Sequence, residues 1–208
     1  MSPKLIQTLT PEQENISTTK HLDLGCGKNP RNPYNQSILY GIDIASFNED
    51  QNFKFFNCNV ILTDLPFEDS KFDSVSAYDF LEHIPREIVI NGVTQFPFIH
   101  VMNEIFRVLK PNGKFYALTP AYPKESVFVD PTHVNFITKN THKYFTQPHN
   151  WAIMYGYTGN FSIIRAKWCY FRNETKVMGS FETILKSAIC IIYPRMMQHF
   201  VWEFKAIK

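Results

Sequence analysis

The stretch His21-Leu22-Asp23-Leu24-Gly25-Cys26-Gly27-Lys28-Asn29-Pro30 is a short apolar run that breaks into a glycine-containing turn. The apolar residues predict a buried strand, and glycines directly after it let the backbone bend tightly and come close to a ligand. A Gly-x-Gly after a strand is equally an ordinary tight turn, so the next run carries the weight. In Ile38-Leu39-Tyr40-Gly41-Ile42-Asp43-Ile44, Asp43 ends a second strand twenty residues after Asp23. A carboxylate at that tip can accept both hydroxyl hydrogens of a ribose, and the spacing fits a bound nucleoside.

Outward from these two strands the chain alternates short apolar strands with helical or loop segments, the pattern of a mostly parallel sheet covered on both faces. Strands are predicted at His21–Leu24, Leu39–Ile44, Phe53–Asn57 and Lys71–Tyr78. Between the first two, Lys28 to Pro33 is rich in turn formers, so the first helix is late or short. Phe98, Val101, Met102, Ile105, Phe106 and Leu109 form one apolar stripe at offsets of three and four, which predicts a helix over Phe98–Leu109. Lys110-Pro111-Asn112-Gly113 then turns the chain into a fifth strand, Lys114–Thr119. A long irregular stretch follows, with Thr138 as the cap of a short helix through Phe145. Period-two alternation returns twice: Ile164, Ala166, Trp168 and Tyr170 against Arg165, Lys167 and Cys169, then Phe200, Trp202, Phe204 and Ala206 against Val201, Glu203 and Lys205.

With Leu22 to Gly27, Gly41 to Asp43, Leu65 to Asp73, Leu81-Glu82-His83-Ile84 and Glu104 to Lys114 in this order, the chain resembles the class I S-adenosylmethionine-dependent methyltransferases, specifically the small type 11-like members. The resemblance covers roughly residues 20 to 145. It implies an α/β, Rossmann-like, doubly wound sheet of seven strands, mostly parallel with an antiparallel C-terminal pair, in a single domain. It further implies S-adenosylmethionine as cofactor. Gly25, Cys26 and Gly27 would pass against its methionine part and Asp43 and Ile44 would meet the ribose. Asn59 and Val60 would lie beside the adenine, Asp79 and Phe80 would line the opposite wall, and Asp23 belongs to the same set of strand tips. Two positions depart from the family pattern. Asn29 stands where many members have a third glycine, and Asn59 stands where an aspartate is common.

Methyl transfer from a sulfonium is an in-line displacement in which orientation supplies much of the acceleration, so no catalytic metal is expected. A hydroxyl acceptor must lose its proton, and a base is then useful. His133 is the first candidate, with Asp130 placed to orient its ring, and His83 is the second; Glu82 braces its loop, while His142 and His149 read as surface residues. The region after the fifth strand, residues 121–160, crowds in Tyr122, Phe128, Phe136, Tyr144, Phe145, Trp151, Tyr155 and Tyr157, and substrate identity resides there.

Composition narrows the partners. Twenty-one basic against 19 acidic side chains leave a formal charge of +2, which offers no electrostatic footprint for nucleic acid. Cysteines 26, 58, 169 and 190 form no Cys-x-x-Cys pair, so they read as reduced thiols of a cytoplasmic protein. Met1 to Thr19 is a polar arm without the apolar core of a signal peptide. The apolar run Ser187 to Tyr193 is too short to span a bilayer. Residues 173–198 read as a lid, a homodimer contact or filler over the sheet. The preferred expectation is O-methylation of a small molecule or glycan, because the loop Asp130 to Thr138 looks like one from small methyltransferases of sugar and surface-glycan pathways. The alternatives are a nucleic-acid or protein methyltransferase, a non-catalytic cofactor-binding subunit and, last, a nicotinamide dehydrogenase.

Overall fold

The computed structural model describes residues 18–46, 52–169 and 198–208. The N-terminal arm and nearly all of the segment 173–198 lie outside the described residues. Five parallel strands form the sequence-predicted core of the sheet: β1 (Lys20–Leu24), β2 (Ile38–Asp43), β3 (Lys54–Asn57), β4 (Phe72–Tyr78) and, after a hairpin, β7 (Leu109–Pro120). The hairpin strands β5 (Ile88–Ile90) and β6 (Val93–Gln95) stand apart from the main sheet. Two further strands, β8 (Phe161–Cys169) and β9 (His199–Ala206), complete a seven-stranded sheet of order β3-β2-β1-β4-β7-β9-β8. β9 runs antiparallel to both β7 and β8, so the sheet is the Rossmann-like one with an antiparallel closing pair.

The helix α1 (Pro97–Val108) starts with proline in its first turn, where the missing N–H costs nothing. It buries Phe98, Val101, Met102, Ile105 and Val108 against the sheet. It ends at Leu109 because Lys110 precedes a proline and takes up extended backbone. The predicted turn at Lys110 to Gly113 is absorbed into β7 as an irregularity: Phe72 pairs with Leu109 and Ser74 with Lys114, so the chain between them bulges out, with Asn112 at φ 62°.

The main core joins α1 to the strand face carrying Leu22, Ile42, Val75, Phe115 and Trp202. At its β2 end Tyr40, Phe67 and Phe72 meet edge to face, with ring centroids 4.9 to 5.9 Å apart. Such pairs are worth about 0.5–1.5 kcal/mol each beyond area burial. The opposite face is covered differently. No helix connects β1 to β2; Tyr34 of that connection packs on Tyr78, Tyr116, Leu118 and Val201. Tyr34 donates to Glu203 at 2.9 Å, and Arg165 binds the other oxygen of the same carboxylate at 2.9 Å.

The two closing strands depart from strict alternation. Val201 and Glu203, the alternate positions of the period-two pattern in β9, are buried as well, because β9 is an interior strand. In β8 a bulge between Ile163 and Arg165 turns Ile163 and Ile164 outward and leaves Cys169 buried. β5 and β6 were not anticipated, although Asn91-Gly92, both at positive φ, is the residue pair that a two-residue hairpin favours. Thr138 caps no helix directly: its hydroxyl accepts from Asn140 N–H at 3.2 Å, one turn ahead of a short 3-10 segment, Thr141–Tyr144.

Arg107 ties α1 to the segment before β4. Its guanidinium donates to the Leu65 and Phe67 carbonyls and to Glu104 and Asp69, all at 2.7 to 2.9 Å. Burial by itself would raise the Glu104 carboxyl, but the hydrogen bonds from Arg107 and from Leu65 N–H outweigh it and hold the group below its ordinary value. Replacing Arg107 by alanine leaves Glu104 and two carbonyls without this donor. With the guanidinium partly exposed, we expect a loss of about 2–3 kcal/mol of unfolding free energy. Urea denaturation at neutral pH measures it.

Candidate functional site

The predicted strand tips converge at one end of the sheet. Gly25 and Gly27 both have positive φ, 62° and 56°, which a side chain tolerates poorly. At Gly25 a Cβ would also lie 2.5 Å from the Phe80 ring, so the turn after β1 and the residue after β4 are in contact only because position 25 has no side chain. Gly41 does the same one strand over, where a Cβ would meet Cys26 Sγ at 2.7 Å. The Cys26 thiol is pushed up to about 12 by burial, and it makes no reactive thiolate.

Asp43 Oδ2 accepts the Gly27 N–H and Oδ1 accepts the Ala45 N–H, both at 2.9 Å. Each oxygen keeps a second lone pair for a ligand hydroxyl. Ile44 beyond it is exposed, Val60 is buried in the core, and the Asn59 side-chain oxygen accepts from Ile61 N–H at 3.2 Å. Asp79, at φ 47°, pairs with His199 at 3.0 Å, linking the tips of β4 and β9. His199 was not singled out in the sequence, because nothing local distinguishes the first residue of a strand.

Asp23 corrects an expectation. Its side chain is sealed below the turn with no exposure, accepting from Arg31 N–H at 2.8 Å and from the Ser76 hydroxyl, so it shapes the turn from beneath. Ser76 also meets His21 Nε2 at 2.8 Å, and Ser74 meets Nδ1 at 2.7 Å. Burial pushes Asp23 up to about 7 and His21 down to about 3.

Beside this cradle, the 3-10 segment Leu81–His83 follows β4 and meets the loop after β7. Glu82 is fully buried; its backbone oxygen accepts the Val134 and Asn135 N–H groups at 2.9 Å, and its carboxylate accepts the Thr119 hydroxyl at 3.0 Å. His133 is thereby brought against it, with Nε2 3.9 Å from Glu82 Oε1. The two rings His83 and His133 pack edge to face, centroids 4.9 Å apart. Asp130 does not orient the His133 ring as expected. The Val127 carbonyl does, at 3.0 Å from Nδ1, while Asp130 Oδ1 closes a turn onto Thr132 and its Oδ2 stays 3.9 Å from Nε2. Those Thr132 hydrogen bonds hold the Asp130 carboxyl below its ordinary value.

His142 is also corrected: it is buried, stacked on Phe200, and burial lowers its pKa. His149 is exposed. Of the eight aromatic residues named in 121–160, Phe145 and Tyr157 are core and the other six are exposed. Tyr144, Phe145, Trp151 and Tyr155, with Phe96, Arg86 and Glu87, line a cavity of about 470 Å³. Arg86 also donates to Asn135 Oδ1 at 2.7 Å, joining the cavity wall to the loop that carries His133. Among the described residues no helix is long and apolar enough to cross a membrane.

The methyltransferase-domain family matches residues 22–117, the part that holds the cradle, Glu82 and His83. Solved structures share the fold. A chain of the complex between the Haloferax volcanii Trm112 methyltransferase activator and a methyltransferase superposes with a TM-score of 0.56 at 15% identity, covering 92% of this chain and 84% of that one. A SAM-dependent methyltransferase from Archaeoglobus fulgidus gives 0.53 at 17% identity over 91% and 86%. The geranyl diphosphate C-methyltransferase of Streptomyces coelicolor, bound to Mg2+, geranyl diphosphate and S-adenosyl-L-homocysteine, gives 0.52 at 12% identity over 91% and 71%. No curated protein matches the chain in sequence.

The buried Asp23 and His21 have opposite linkage to pH. His21, with a lowered folded value, costs stability as pH falls below 6.5, until it too protonates near 3. Asp23, with a raised folded value, adds stability as pH falls from about 7 toward 3.8. Their slopes cancel between about pH 4 and 6.5. Asp23→Asn removes one side of the balance, so the variant's unfolding free energy should rise relative to wild type by about 1.4 kcal/mol per pH unit across that window. Denaturant titrations at pH 4.5 and 6 without cofactor give the difference.

Proposed function

We propose that the chain is a class I S-adenosylmethionine-dependent methyltransferase, a reading supported by the methyltransferase-domain match over residues 22–117, and that it O-methylates a hydroxyl of a sugar, glycan or other small molecule in the cytoplasm. The residues present fit the cofactor. Gly27 leaves open space where a Cβ would stand, so the backbone of the turn is open to close approach there, and Asp43 presents lone pairs at the β2 tip. When bound, the cofactor supplies an electrophilic methyl group on a sulfonium. Asp43 would hold the ribose, Asn59 and Val60 would flank the base, and Phe80 would wall the turn.

The observation that carries the choice of a hydroxyl acceptor is the His133 tautomer. Nδ1 donates to the Val127 carbonyl, so the lone pair of neutral His133 is on Nε2, next to Glu82 and at the end of the sheet where ligands of this fold bind. That nitrogen can take the acceptor's proton, with Asp130 and Glu82 stabilising the resulting charge and His83 packed on the ring. The aromatic cavity bounded by Arg86 and Glu87 suits stacking on a sugar or ring and hydrogen bonding to its hydroxyls. A formal charge of +2 gives no support to a nucleic-acid substrate.

Asp43→Ala should weaken S-adenosylmethionine binding by about 1.5–3 kcal/mol, roughly 10- to 150-fold in Kd by calorimetric titration. His133→Ala should lower kcat by about 10²–10⁴ with cofactor Kd unchanged, measured on whichever hydroxylated acceptor yields methylated product in a screen of nucleotide sugars and glycans. Full activity of that variant, or a product methylated only on nitrogen, would remove His133 as proton acceptor.

A further inference from the structure

We infer that Glu82, His83 and His133 form a binding site for a divalent first-row transition-metal ion, which holds and activates the acceptor hydroxyl. The activating role rests on the O-methylation reading above; the binding of the ion does not. No metal is expected from the sequence, because methyl transfer from a sulfonium relies on orientation; His133 lies far along the chain from the Glu82-His83 pair, and the loop after β7 brings it back.

One ligand-capable atom from each of the three side chains lies within 4.8 Å of the other two. An ion that binds nitrogen and oxygen at about 2.0–2.2 Å draws its ligand atoms to roughly 3–3.5 Å from one another. His133 Nε2 and Glu82 Oε1, at 3.9 Å, are too far apart for a hydrogen bond and close to that spacing. Atoms separated by as much as 4.8 Å must draw in by roughly 1–2 Å to close the set.

The outer partners are those that orient metal-ligating groups. His133 Nδ1 donates to the Val127 carbonyl. His83 Nδ1 faces the Thr132 carbonyl at 3.3 Å and hydroxyl at 3.0 Å; since that hydroxyl donates to Asp130, the histidine is the donor. Both rings, when neutral, therefore carry their lone pair on Nε2. The Thr119 hydroxyl fixes Oε2 of Glu82, whose side chain is buried, and that of His133 is only 9% exposed. Two imidazoles and one carboxylate suit zinc, manganese, iron or cobalt in preference to calcium or magnesium, and leave coordination positions for water or a substrate oxygen. Among the described residues this is the grouping of three such side chains that could hold an ion.

With the ion bound, the His133 lone pair is committed to it, and the ion replaces the imidazole as the activating group. The acceptor hydroxyl coordinates, its acidity rises, and its proton passes to water. The oxygen then forms the O–CH3 bond while the S–CH3 bond breaks and its electron pair stays on sulfur. The products are the methyl ether, S-adenosylhomocysteine and one released proton.

The test is a titration of the chelator-stripped full-length protein with Co2+, followed by visible absorption, with Zn2+ as competitor. One Co2+ per chain is expected, with ligand-field bands erased by equimolar Zn2+. His83→Ala and His133→Ala should each weaken uptake at least about 10-fold while S-adenosylmethionine affinity, measured in parallel, shows both variants folded. Absence of bands in the wild type, or bands unchanged in a folded His83→Ala, overturns the site. Methylation of hydroxyls that persists undiminished in stripped protein overturns the ion's role and leaves the O-methylation reading standing. Cobalt uptake lost in both variants, without any hydroxyl product, establishes the site and removes that reading.

Discussion

Two carboxylates hold the glycine turn, and the functional end of the sheet depends on them. Asp23, at the end of β1, accepts the Arg31 N–H from below, and Asp43, at the end of β2, accepts the Gly27 N–H from the side. Between these anchors the backbone passes through two positive-φ glycines, a path that a chain with side chains there would resist. The cost of burying Asp23 is visible in its raised pKa, and the Ser76 and Arg31 hydrogen bonds offset part of it. The Phe80 ring rests on Gly25, so the wall contributed by β4 is placed by the same turn.

A second carboxylate system places His133. Glu82 is bound on its backbone oxygen by Val134 and Asn135 and on its side chain by Thr119. Asn135 returns a hydrogen bond to the Leu81 carbonyl at 3.2 Å and accepts one from Arg86. A loop of this length after a strand would ordinarily be the most variable part of such a domain. Here it is fastened to the segment after β4 by buried polar contacts, so His133 has a defined position. The same fastening joins the His133 loop to the wall of the aromatic cavity through Arg86.

Among the described residues the two faces of the sheet are covered by different means. α1 packs one face with apolar side chains, whereas Tyr34 and the Glu203–Arg165 pair cover part of the other. Glu203 is nearly buried and receives both a phenol and a guanidinium, the satisfaction that a buried carboxylate requires. Its position explains why an outward-looking place in β9 is an interior one: the strand has a neighbour on each side and cover on each face.

Whereas the turn expected at Lys110 to Gly113 is a bulge within β7, local signals were enough for the parallel strands, α1 and the glycine turn at Gly25 and Gly27 with Asp43 at the tip of β2. Each of these depends on interactions within a few residues or on one repeating period, which is information the chain carries in order. The signal for the Asn91-Gly92 hairpin is equally local. The fate of Asp23, buried as an anchor, was not legible, since a carboxylate at a strand tip looks the same whether it faces a ligand or a serine. Nor were the Val127 carbonyl behind His133, the burial of His142 under Phe200, or the meeting of Glu82, His83 and His133. These are contacts between segments distant in sequence, produced when β4 and β7 lie side by side and the loop after β7 folds back over the segment after β4. Periodicity and turn chemistry determine which elements form; the hydrogen bonds between elements determine which side chains end up facing one another.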